Sequence, residues 1–131
     1  MKALLDTGVW FRRYHGLPMS QALRAYLDDV TEFYLCPLSV AEISFKWQRG
    51  KLPGLPDPSH WLNHSLQNFN MLNASAEAAL QAGLWNWPHG DLVDRSLAAI
   101  AAETGITLVH TDKVLRSFDG FPQRFFRNTL S

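Results

Sequence analysis

The chain has 131 residues, 47% hydrophobic and 18% charged, with 12 basic against 12 acidic side chains and a formal net charge of zero. This length and composition describe one globular domain able to bury its own core, and they exclude a disordered chain. The balanced charge excludes a global electrostatic case for nucleic-acid binding, so a polyanion would have to be held by a local patch or through metal ions. In chain order, KALLD (2–6) is an apolar run ending in an acid and predicts a buried strand. TGVWFRRYHG (7–16) predicts a short helix closed by Gly16 and Pro18. SQALRAYLDDVTE (20–32) places Leu23, Tyr26, Leu27 and Val30 at helical spacing behind Ser20, a candidate cap. FYLCPLS (33–39) predicts a second strand ended by Pro37, and the helix after it is expected to start at Ser39 and stop at Gly50. A proline-rich stretch leads to a helix from about Ser59, and NMLNAS (70–75) is a weak third strand. SAEAALQAGLWNW (75–87) predicts a helix stopped before Pro88. DLVDRSLAAIAAETG (91–105) predicts the strongest helix, with Gly105 as its stop. ITLVHTD (106–112) is the best strand, and QRFF (123–126) a further one.

Strands alternating with helices argue an α/β fold with a mainly parallel sheet covered on both faces, as a single domain over 1–131. No apolar run reaches the length of a membrane span, and Asp6 interrupts the N-terminal apolar segment, which argues against a secretory signal. Cys36 is the only cysteine, so an intrachain disulfide is impossible and Cys36 reads as a small buried hydrophobe. These features point to the cytoplasm, with no membrane partner.

The acids are unevenly placed. Asp6 ends the first strand run, Asp112 ends ITLVHTD, Glu42 follows the second strand, and Asp94 lies in the first turn of the strongest helix. In a parallel sheet, ligands bind beyond the carboxyl ends of the strands, where such residues converge from distant parts of the chain. Each acid also has a plain local reading. Ser39-x-x-Glu42 has the pattern of a capping box, Asp6 can cap the following helix, Asp112 can start a turn, and Asp91 can cap the helix that holds Asp94. Several carboxylates brought together repel one another or demand a hard cation such as Mg²⁺ or Mn²⁺. The chemistry natural to such a cluster is metal-assisted attack on a phosphodiester.

Four stretches in order carry a resemblance: LLDTGVW (4–10), LSVAEISFKWQRGKL (38–52), HGDLVDRSLAAIA (89–101) and GITLVHTDKVL (105–115). The chain resembles the PIN-domain ribonucleases, in particular the VapC-type toxins of toxin–antitoxin pairs. The third stretch is similar to the subgroup motif H-R-D-P-F-D-R, with Gly90 in place of its Arg and Leu92 in place of its Pro. The fourth is similar to Gly-x-x-Leu-Val-Thr-x-Asp. The resemblance implies a PIN fold and a metal-dependent endoribonuclease. It puts Asp6, Glu42, Asp94 and Asp112 on the acidic catalytic and metal positions, and Asp91 on a secondary one. Thr7, Ser39 and Thr111 match neighbouring hydroxyl positions. Implied partners are an RNA substrate, a cognate antitoxin and a second copy in a homodimer. Between the two helix acids, Asp91 is expected to be the cap and Asp94 the ligand.

Arg12, Lys46, Arg95 and Lys113 lie close in sequence to the acidic stretches and are candidate contacts to an RNA backbone. His60 and His64, four apart, have no evident third ligand, and His89, just before the strongest helix, reads as a local hydrogen-bonding residue or a substrate contact. Five tryptophans are many for one small core, so Trp10 and Trp47 are expected to line a groove for an antitoxin helix. The alternative to a nuclease is a non-catalytic PIN-like module that binds RNA or protein. A small phosphatase fits less well, because the slot after the first strand reads Asp6-Thr7-Gly8 rather than D-x-D.

Overall fold

The shortest apolar runs of the chain form its sheet. In the computed structural model, which describes residues 1–128, β1 (Lys2–Leu5), β2 (Glu32–Leu35), β3 (Phe69–Met71), β4 (Leu108–His110) and β5 (Gln123–Phe125) pair in the order β3-β2-β1-β4-β5. Residues 129–131 of the expected domain lie outside the described residues. Every pairing is parallel, as the alternating sequence pattern predicts. Parallel neighbours require crossovers, and helices supply them. These are α1 (Thr7–His15) and α2 (Gln21–Asp28), α3 (Pro37–Gln48) and α4 (Pro58–Ser65), α5 (Ala76–Leu84) and α6 (Leu92–Thr104), and the single turn α7 (Lys113–Arg116).

The pleat sends alternate side chains to opposite faces, so a strand buried on both faces feeds two cores. Ala3 and Leu5 of β1, with Val109 of β4, enter a core with Val9, Trp10, Leu23, Leu27, Ile43 and Trp61. Leu4 and Leu108 enter the other, with Cys36, Leu97, Ile100, Leu115 and Trp87. From β1 the chain builds outward through β2 and β3, then returns to β1's other edge for β4 and β5. The strand order therefore reverses between β1 and β4, and the crevice beyond their carboxyl ends is the topological switch point of the sheet. Asp6 follows β1 directly and Asp112 follows β4 by one residue, Thr111.

Several boundaries differ from the sequence pattern for identifiable reasons. Pro37 ends β2 but also begins α3, because its fixed φ and missing N–H suit the first helical position. Ser39 is therefore inside α3 rather than its cap, and Ser39-x-x-Glu42 is not a capping box. Helix α5 stops at Leu84 rather than before Pro88, because the following carbonyls turn toward the Arg95 guanidinium. The turn that Asp112 is expected to start is the single helical turn α7.

Four of the tryptophans pack into the two cores, Trp10 among them contrary to the expected groove, whereas Trp47 lines a surface groove with Ser44, Pro58 and Leu62. Trp10 is 1% exposed and packs against Trp61 with ring centroids 6.0 Å apart. Trp87 stacks on Phe118 at 4.7 Å, and Trp85 meets the same ring edge-on. Trp47 is half-buried and donates its indole N–H to the Leu55 carbonyl at 3.0 Å. Two separate cores, one on each face of the sheet, accommodate rings that one core would not.

Candidate metal centre

Three acids at the switch crevice are helix caps, and the local reading of each holds together with their convergence. The Asp6 carboxylate accepts from the Val9 amide at 2.8 Å and starts α1. Asp91 accepts from the Asp94 amide at 3.1 Å and starts α6, as expected of the capping member of that pair. Asp112 accepts from the Val114 amide at 2.7 Å and starts α7. A cap needs one acceptor, and a carboxylate has two oxygens. Capping therefore positions each acid without exhausting it.

The crevice is a cleft of about 510 Å³ lined by Asp6, Glu42, Asp91, Asp94 and Asp112 together with Thr7, Arg12, Lys46 and Thr111. All four primary acids inferred from the sequence line it. Glu42, on α3, also pairs with Lys46 one turn later at 3.3 Å. The Thr7 hydroxyl donates to the Ser39 hydroxyl at 2.8 Å, and Ser39 is fully buried. That bond ties the start of α1 to α3 and so relates Asp6 to Glu42.

Burial pushes the Asp6 carboxyl up to about 7 from its ordinary 3.8; the Val9 amide pulls it down, and Asp94, Glu42 and Asp112 raise it by like-charge repulsion. Burial likewise raises Asp94 to about 6, opposed by its hydrogen bond to His89 and assisted by the nearby Asp91 and Asp112. Both groups hold protons more tightly folded than unfolded. Metal-free stability is therefore expected to fall as pH rises from 3.8 through about 6 and about 7. A dication at the cluster would relieve the repulsion and would favour the folded, ionised form. Millimolar Mn²⁺ should then raise the melting temperature at about pH 8 and much less at about pH 5. Calorimetry at both values checks this, and an equal shift or none at either pH contradicts it. Carboxylate oxygens at a partly buried, mutually repelling site are the donor set that hard dications prefer.

His89 makes the local hydrogen bond that the sequence suggests, and its partner is a cleft acid. Its Nε2 lies 2.8 Å from Asp94 Oδ2. Among the described residues, ligand atoms of His89, Asp94 and Asp112 form the one group of three or more within 4.8 Å of one another. Asp6 and Glu42 line the same cleft outside that group. His60 and His64 take no part in it, and the Tyr14 hydroxyl and His64 Nδ1 hydrogen bond at 2.8 Å.

His110 was missed altogether. It is fully buried beneath Asp112. The Asp112 amide donates to its Nδ1 at 3.1 Å, so the ring proton sits on Nε2 and is donated to Gln123 Oε1 at 2.7 Å. Gln123 Nε2 donates in turn to the Phe118 carbonyl at 2.6 Å. This chain of bonds holds the backbone of Asp112 against β5. The clue lay in the motif, whose threonine falls at residue 110, where this chain carries His.

Of the basic candidates, Arg12 and Lys46 line the cleft, whereas Arg95 does not. Arg95 is 8% exposed, and its guanidinium donates to the carbonyls of Ala82, Trp87, His89, Gly83 and Trp85. Those five bonds leave no donor for a phosphate, so its expected role as an RNA contact is replaced by one of holding the segment before α6. Lys113 lines a second cleft of about 450 Å³ with Arg116, Arg127, Asn128, Phe125 and Thr111. Thr111 borders both clefts, so a cationic trough adjoins the acidic one. No helix among the described residues is long and apolar enough to cross a membrane.

A family model described as the PIN domain matches residues 3–120. No curated protein sequence matches the chain. Among solved structures, FitAcB from Neisseria gonorrhoeae is 21% identical with a TM-score of 0.70, covering 95% of this chain and 96% of that one. VapBC2 from Rickettsia felis, solved bound to a DNA fragment from their promoter, is 16% identical with a TM-score of 0.69, covering 95% and 98%. A toxin–antitoxin complex from Klebsiella pneumoniae is 16% identical with a TM-score of 0.66, covering 90% and 93%. At these identities the likeness is one of fold.

Proposed function

The chain belongs to the PIN domain family, and on that premise we propose that it is a metal-dependent endoribonuclease serving as the toxin of a toxin–antitoxin pair. One observation carries the reading: Asp6, Glu42, Asp91, Asp94 and Asp112 line a single cleft at the switch point of the sheet. A binding module has no use for so many carboxylates gathered in one cleft, which disfavours the non-catalytic alternative. A bound dication, Mg²⁺ or Mn²⁺, supplies an activated water and neutralises charge on the phosphate. Asp6, Asp94, Asp112 and Glu42 are the residues that would hold it.

The RNA strand is held by cations around the acidic cleft. Arg12 and Lys46 stand at its lining, and Lys113, Arg116 and Arg127 in the adjoining trough take the flanking phosphates. Local segregation of charge lets a chain of zero net charge bind a polyanion. The toxin–antitoxin neighbours support a cognate antitoxin as partner. With Trp10 buried, its proposed contact is the apolar lining of the acidic cleft, Phe11, Leu17, Ile43 and Leu52, while Trp47 stays partly exposed at a surface groove. A homodimer is proposed on the family resemblance alone.

The test is an RNase assay with Mn²⁺ or Mg²⁺ on the purified chain and two variants. Asp94→Asn is expected to lower cleavage on the order of 10³-fold, as loss of a group acting on transition-state charge does. Asp91→Asn should cost much less, because Asn still caps α6. Cleavage that persists in Asp94→Asn, or that needs no dication, contradicts the proposal.

A further inference from the structure

Magnesium prefers a shell of oxygens, whereas imidazole nitrogen favours first-row transition dications. The tightest potential ligand group in this protein contains both kinds of donor. Its members are one ring nitrogen of His89 and one carboxylate oxygen each from Asp94 and Asp112. We propose that His89 is itself a ligand of the cation, so that the centre selects a first-row transition dication over Mg²⁺. The proposal rests on the metal-dependent reading of this cleft and deepens it.

The geometry supports direct ligation. His89 Nε2 and Asp94 Oδ2 are 2.8 Å apart. Neighbouring ligands on an octahedron with bonds of about 2.1 Å are separated by about 3.0 Å. The spacing matches that of adjacent ligands of one ion, and ligation would exchange the present hydrogen bond for two bonds to the cation, with loss of any proton between the two atoms and a small turn of the ring. The histidine is also held in place. Its carbonyl accepts from Arg95 Nη1 at 3.0 Å, and its ring lies 5.1 Å from the Trp87 ring between centroids. The His89 and Asp94 side chains are only 14% and 18% exposed, so few waters compete for the position. A ligand pinned through its backbone and its ring loses little entropy on binding.

Mn²⁺ alone serves as the probe, because it is paramagnetic and its bound nitrogen can be read directly. The full chain is titrated with Mn²⁺ by EPR, Mg²⁺ affinity is obtained by competition, and electron spin echo modulation is recorded on the frozen Mn²⁺ complex. The expected result is a directly coordinated ¹⁴N signal that is absent in His89→Gln. In that variant Mn²⁺ affinity should fall on the order of tenfold while Mg²⁺ affinity changes by less than about twofold. Chain produced with ¹⁵N-histidine should show the coupling moved to the ¹⁵N frequency, a readout that needs no substitution and no activity. Mn²⁺ bound without nitrogen coupling overturns the role of His89 and leaves the metal-dependent reading standing. Coupling that persists in His89→Gln assigns another histidine and also overturns the proposal. No Mn²⁺ binding at all overturns both.

Discussion

Replacing Asp6 with Asn is expected to stabilise the metal-free protein while abolishing its response to dications. Asp6 is 9% exposed, and its carboxyl titrates at about 7 because burial and three neighbouring acids oppose its charge. At about pH 8 the folded chain must bear that charge, a penalty on the order of a few kcal/mol that the unfolded chain escapes. Asn removes the charge and keeps the cap, since its carbonyl still accepts from the Val9 amide. The gain should appear in thermal or urea unfolding at about pH 8 and shrink toward about pH 4, where the native carboxyl is protonated as well. The same variant should show no Mn²⁺-dependent rise in melting temperature, and cleavage should fall on the order of 10³-fold. A variant less stable than the native chain at about pH 8, or one that keeps the full Mn²⁺ response, contradicts this account. More stability with less function is what a charge cluster built to hold a cation should yield.

Arg95→Met is expected to be the most destabilising single change around the centre. The guanidinium holds five carbonyls, with Nε to Ala82 at 2.7 Å, Nη1 to Trp87 at 2.6 Å and His89 at 3.0 Å, and Nη2 to Trp85 at 2.7 Å and Gly83 at 3.4 Å. Met fills part of the volume and donates nothing, so buried carbonyls lose their partner. The expected loss is on the order of 3–5 kcal/mol. For a chain of this size that is a drop in melting temperature of roughly 10–20 °C. Arg95→Lys should rescue little, because an ammonium has three donors and no planar fork. Metal affinity should fall too, since the held segment ends at His89, beside the cap residue Asp91. Differential scanning calorimetry checks the first effect and Mn²⁺ titration the second. A melting temperature within about 2 °C of the native value would show that the carbonyls find other partners.

Local chemistry made much of this molecule legible in the sequence. Apolar runs of strand length between capped helices specify a parallel α/β sheet, because each run is too short for a helix and each crossover too long for a hairpin. Gly16 and Gly105, both at positive φ, close α1 and α6 where the pattern ends them. Asp6, Glu42, Asp91, Asp94 and Asp112 stand out because acids after strands and in first helical turns come together when the strands are parallel. Tertiary structure decided what depends on three-dimensional neighbours. Arg95 and Lys113 look alike in the sequence, yet one is enclosed by carbonyls turned back from α5 and the other opens on a cleft. His89 becomes a companion of Asp94 only because Arg95 folds the chain before α6 back upon it. His110 supports Asp112 through a glutamine thirteen residues away on an adjacent strand. The five tryptophans could be assigned to core or surface only once the sheet had two faces to bury. Periodicity and capping are properties of a chain and its nearest neighbours, so sequence alone determines them. Burial, hydrogen-bond saturation and the convergence of charges depend on which distant segments the fold brings together.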